Sequence, residues 1–157
     1  MERSDLELLR ELLTGTRVVG LALVDDGRPI AGLAPFLAAP GLDLLYVHGS
    51  RLARHMRALR AGVFYSAVIH VPDRPELDPL RLPRLLLDGS VGPLDDDERA
   101  ALLPRWVARF PAAAMTVELG DFAFHRLSIR SGRLIAGFGR AFGLGPDELA
   151  AAAALAD

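Results

Sequence analysis

The chain contains no cysteine, no lysine, no asparagine and no glutamine. Without a thiol there is no disulfide, no cysteine nucleophile and no thiolate-bound zinc or iron–sulfur cluster. Without lysine there is no Schiff base to a carbonyl substrate or to pyridoxal phosphate, and no P-loop lysine. All 18 basic residues are therefore arginine, set against 20 acidic ones. The net charge of −2 gives no global pull toward nucleic acid or an anionic bilayer, so neither partner is expected. The apolar runs are too short or too interrupted to cross a membrane. The opening Met1-Glu2-Arg3-Ser4-Asp5 is charged and leads into an amphipathic segment, unlike a signal peptide. A soluble, cytoplasmic protein with a single domain over residues 1–157 is the expectation.

What is present centres on residues 44–60, Leu44 to Arg60. An apolar, strand-like run breaks at Gly49-Ser50, and helical spacing follows with Leu52, Met56 and Leu59 on one face. Ser50 fits an N-cap. Arg51, Arg54, Arg57 and Arg60 follow at every third position, with His48 and His55 nearby. Free N–H groups at a helix start, joined by guanidinium donors, make an anion site at a strand-to-helix turn. A solvated basic helix face with a serine cap is the plainer alternative.

Around that stretch, Ser4 and Glu7 fit a capping box for a helix over Asp5 to Leu13. Thr16 to Val24 and Pro29 to Phe36 read as strands joined by the hairpin signal Asp25-Asp26-Gly27-Arg28. Small residues in the second strand, at Ala31, Gly32 and Ala34, mark close approach either of a ligand or of a packed helix. Leu42 to Val47 is a third strand and Val63 to Val71 a fourth. Prolines at 72, 75, 79 and 83 make a loop, and Arg84 to Val91 is a fifth strand. Asp95-Asp96-Asp97-Glu98 opens a helix running to Phe110 with a kink at Pro104, and Trp106 and Phe110 form its core face. The acidic run is an ordinary helix start, and no metal ligand set is expected. Residues 121–129 alternate as a strand, Ser131-Gly132 reads as a turn, and residues 134–136 as a short strand. A glycine-flanked loop over 137–142 precedes an Ala-rich helix or linker stump at 144–157. Six or seven mostly antiparallel strands with flanking helices predict an α+β barrel.

The order of these pieces resembles the pyridoxamine-phosphate-oxidase-like flavin split barrels. The likeness rests on Asp-Gly-Arg-Pro with its small-residue strand and Pro35-Phe36, on Gly49-Ser50-Arg51-Leu52-Ala53-Arg54-His55, and on Arg84 to Gly89. Residues 121–127 together with Gly137 to Ala141 are similar to the branch that includes haem-utilisation proteins. The resemblance implies a six-stranded split barrel that forms a homodimer, with one FMN in each of two clefts between subunits. It implies Ser50 and Arg51 on the flavin phosphate, helped by Arg54 or His55 beside Gly49. Backbone of Ala31, Gly32 and Leu33 would flank the ring, and Arg84 would reach the phosphate or ring edge. His48, at the strand end, is the best-placed histidine to approach the flavin, and no catalytic acid or base is assigned. Haem is the second cofactor the resemblance offers. The sequence departs from the family at Gly32, where serine is common, and at Met56 and Ala58, where threonine and asparagine are common. The function implied is an FMN-dependent oxidoreductase of a small molecule. The alternatives are a flavin or haem carrier without turnover, and a barrel that has lost its cofactor.

Overall fold

A computed structural model describes residues 1–155. The helix α1 (Arg3–Gly15) begins two residues earlier than the spacing of Ser4 and Glu7 predicts. Glu2 is its N-cap, and the Asp5 carboxylate accepts from the Glu2 N–H at 3.0 Å. Leu9, Leu12 and Leu13 turn its apolar face onto the sheet.

The strands are β1 (Val18–Asp25), β2 (Arg28–Ala38), β3 (Leu44–Ser50), β4 (Phe64–His70), β5 (Arg84–Gly92), β6 (Phe122–Gly137) and β7 (Arg140–Leu144). They form one antiparallel sheet in the order β3-β2-β1-β4-β5-β6-β7, and β3 also pairs with β6. That second pairing closes six strands into a ring and leaves β7 as an added edge, so the sheet has seven strands. Inward-facing Val19, Leu21, Leu45, Val47, Leu85, Leu87 and Leu127 fill the ring. The β1–β2 turn uses positive φ at Asp26 and Gly27, as a two-residue hairpin connection requires.

The ring is not fully laced. β2 pairs with β1 from Arg28 to Pro35, but with β3 only at residues 36–38. Below that point the two strands part, and the five-residue helix α2 (Arg54–Ala58) fills the gap. Its Met56 joins the core, 2 % exposed, and His55 lies on Gly32. A Cβ at Gly32 would stand 2.1 Å from the His55 Cγ. The small residue in this strand therefore makes room for a helix side chain.

β6 is one strand of 16 residues, where the sequence pattern indicated a turn at Ser131-Gly132. Gly132 stays in the ladder opposite Leu87, and a Cβ there would lie 2.6 Å from the Leu86 carbonyl oxygen. The glycine permits that close strand approach. Residues 111–115 form a 3₁₀ turn. The last helix, α4 (Pro146–Ala153), packs against α1; the part of the expected terminal stump at 156–157 lies outside the described residues. No helix among the described residues is long and apolar enough to cross a membrane.

Candidate functional site

The corner where β3 ends is built differently from a strand running straight into a helix. Ser50 is still in β3, and its hydroxyl accepts from the Leu52 N–H at 3.1 Å and donates to Asp121 Oδ2 at 2.6 Å. Three residues of turn follow before α2, whose N-cap is Ala53. Ser50 is thus not a helix cap, and α2 is too short to gather a useful dipole. What the corner keeps is charge. Arg51 is exposed and donates from Nη2 to the Gly120 carbonyl at 2.5 Å, and its own N–H donates to the Asp121 carbonyl at 2.7 Å. Arg57 is exposed and makes no ion pair among the described residues. Arg54 pairs with Asp25 at 3.0 Å, and Arg60 stands 3.8 Å from the same carboxylate.

The residues singled out in the sequence divide into four groups, His48 being the fourth. Gly49, Ser50, Arg51, Arg54 and His55 come together at this corner. Gly49 makes room for Met56, whose Cε would stand 3.1 Å from a Cβ there. Ala31, Gly32 and Leu33 lie beside the corner on β2, with Ala31 and Leu33 facing outward. Arg84 stands elsewhere, opposite His70 at the start of β5, and donates to the Leu82 carbonyl at 2.9 Å.

His48 is separated from the corner. Successive residues of a strand face opposite ways, so Val47 and Gly49 point into the barrel while Tyr46 and His48 point out. There the helix α3 (Asp96–Arg109) covers them. His48 is 4 % exposed, and its ring centroid lies 4.3 Å from Phe124, 5.4 Å from Phe122 and 5.7 Å from Trp106. Burial, with His125 and Arg99 nearby, lowers its pKa to about 4. It is a neutral packing residue at physiological pH. Glu98 anchors the same helix by accepting from the Tyr46 hydroxyl at 2.5 Å and from Arg126 Nε at 3.1 Å. Burial first, and then Glu98, raise the Tyr46 pKa to about 12. The acidic run that opens α3 therefore has a cap at Asp95, whose side chain accepts from the Glu98 N–H, and a tie at Glu98. Among the described residues no group of three His, Asp or Glu side chains could hold a metal ion.

The feature that sequence reasoning missed is the other outer face. Val18, Val24, Leu33, Phe64, Val68 and Leu86 project outward from β1, β2, β4 and β5 and are not covered; Leu33 is 66 % and Phe64 68 % exposed. Small residues between them leave three adjoining hollows. One of about 760 Å³ lies at the Val24–Phe64 end, where Arg130 stands over the Phe64 ring at 5.8 Å. One of about 500 Å³ lies over Gly20, Ala22, Ala31 and Gly32. One of about 670 Å³ lies at the α1 end, between Leu12, Val18, Leu33, Val68 and His70. The outward alternation of apolar residues in β1 and β4 was the available signal.

A ring of six strands, split between β2 and β3 and plugged by a short helix, is the split barrel of the pyridoxamine-phosphate-oxidase-like proteins. Solved structures that share this fold with the chain include proteins described as binding haem or a flavin. It is similar to a haem-binding protein from Mycobacterium smegmatis at 27% identity and a TM-score of 0.79, over 96% of this chain and 62% of that one. This chain thus spans less than two thirds of that relative. HutZ, the haem storage protein of Vibrio cholerae, matches at 23% identity and a TM-score of 0.68, over 82% of this chain and 89% of its own. A protein from Mycobacterium smegmatis that binds FAD and haem matches at 22% and 0.64, over 96% and 78%. These last two likenesses establish the fold. No family model and no curated protein matches the sequence.

Proposed function

We propose that this chain is an FMN-binding protein that works as a homodimer, with the flavin held where the uncovered face of one copy meets the other. The observation that carries the reading is the packing of His55 on Gly32, a residue that also lines the bare apolar face, which brings the corner with Arg51, Arg57 and the Ser50 hydroxyl up to that face. The residues fit the group. A phosphomonoester suits exposed guanidinium donors, and a flat ring system suits the hollow over Gly20, Ala22, Ala31 and Gly32. Exposed apolar patches of this kind mark binding surfaces on soluble proteins, and a second copy is the occupant that the split-barrel fold favours.

In this arrangement Arg51 and Ser50 hold the phosphate, His55 covers the split beside the ring, and Ala31 and Leu33 present backbone and apolar surface to it. Arg84 stands at the margin of the dimer face, so it would complete a cleft rather than belong to the phosphate corner. Asp121 is the competing anion, because its carboxylate already accepts from Ser50. When bound, a flavin supplies two-electron redox chemistry that no side chain of this chain can perform. The protein's part is to orient the ring and exclude water, and the resulting activity is oxidation or reduction of a small molecule. Arg51→Ala should weaken FMN binding by about 1.5–3 kcal/mol, the scale of a charged hydrogen bond. Unchanged affinity in a fluorescence-quenching titration would remove Arg51 from the site.

Haem is the second reading. The apolar hollow of about 670 Å³ with a histidine on its wall favours it, as does the likeness to the haem-binding protein from Mycobacterium smegmatis.

A further inference from the structure

We propose that His70 is the axial ligand of a haem seated in the hollow between α1 and the β1–β4 edge, an assignment that rests on the haem reading above. The four histidines differ sharply in what they can offer. His48 is 4 % exposed beneath α3. The ring of His125 is tied by Nδ1 to the Leu59 carbonyl at 2.9 Å, and its Nε2 is buried without a partner. The ring of His55 is pressed onto Gly32. In the single chain His70 is exposed, and it lines an apolar cavity at the α1 end of the bare face whose walls are Leu12, Val18, Leu33 and Val68.

The second nitrogen of His70 is already arranged for ligation. Nδ1 lies 2.7 Å from the Val71 carbonyl oxygen, which can only accept, so Nδ1 carries the proton and Nε2 keeps its lone pair. A backbone carbonyl on the far nitrogen fixes the tautomer and the orientation of the ring. A porphyrin brings four nitrogens of its own, so one imidazole suffices for an iron that no cluster of protein side chains could hold. The cavity's other polar members suit the macrocycle's edge. Arg17 stands at the rim, its guanidinium carbon 5.1 Å from the Phe110 ring centroid, and is free of carboxylate partners among the described residues. It is the cation available to a propionate, while Glu11 is the one acid on the wall.

The test is titration of the full chain with haemin, followed by the Soret band. The expected result is a shifted, saturable band for the unaltered protein, its loss in His70→Ala, and its return when imidazole is added to that variant. His55→Ala should leave the band in place. His70 is exposed, so the variant should keep its melting temperature, which circular dichroism checks. A band unchanged by His70→Ala would overturn the assignment while leaving the haem reading standing. No band in the unaltered protein would overturn both, without touching the flavin corner, which the FMN titration reads separately.

Discussion

The outer surface of this sheet is handled in two ways. Over β3 and β6 it is covered: α3 lays Trp106, Leu102 and Phe110 on Tyr46, His48 and Phe124, and Glu98 ties the helix down through Tyr46 and Arg126. Over β1, β2, β4 and β5 it is bare, although the residues there are as apolar. Leu33, Val24 and Phe64 are each more than 60 % exposed. The covered side holds its one histidine neutral and closed to ligands. The bare side keeps its histidine, His70, in reach of solvent and cavity. The contrast is the basis of the proposed function: an apolar face left uncovered by its own chain is the kind of surface that marks a binding site.

The largest expected effect lies on the covered side. Trp106→Ala should cost about 3–5 kcal/mol in urea unfolding, because it empties the centre of the second core. A loss under about 1 kcal/mol would mean that α3 is not a true cover. Next comes acid sensitivity. The folded-state pKa of His48 is lowered from 6.5 to about 4. The stability this contributes is whole above pH 6.5 and is lost as the pH falls toward 4. Allowing for solvent screening, that loss should amount to about 1–3 kcal/mol. His48→Phe should flatten most of this slope, leaving the part due to His125, whose pKa burial also lowers. An equal slope in the variant would place the titrating group elsewhere.

Much of this was legible from residues 16–50. The hairpin at Asp25-Asp26-Gly27-Arg28 and the apolar runs on either side appear where the sequence places strands. The β3–α2 corner was half legible. Gly49-Ser50 looks like a strand end followed at once by a helix, whereas Ser50 remains in the ladder opposite Phe122 and three residues intervene. Local spacing could not show this, because Asp121, far along the chain, holds Ser50 in place. Gly132 misled for a similar reason: a glycine demanded by a neighbouring strand reads locally as a turn. The seating of His48 under α3 and the hollow beside His70 depend on where distant helices land, and no periodicity within one segment reports that.

A smaller effect is expected at the tie between the two layers. Glu98→Gln removes the charge that meets Arg126 and Tyr46 and should cost about 1–2 kcal/mol. The Tyr46 pKa, raised to about 12, adds a check at the alkaline end. Its contribution is whole below pH 10 and is lost as the pH rises toward 12, and the variant should show less of that decline. Smallest of all is the expected effect of Val68→Glu on the stability of one isolated chain, within about 0.5 kcal/mol, since nothing in the chain covers that position. The same substitution should nevertheless convert a dimer to a monomer in sedimentation equilibrium. If the protein with Val68 intact already sediments as a monomer, the bare face is not a contact between copies.

The most direct measurement is to mix the purified protein with excess FMN, separate it by gel filtration and record the spectrum of the protein peak. The account predicts a yellow peak at the dimer's volume, carrying one FMN per chain. A colourless peak, with all flavin eluting as free small molecule, would contradict it.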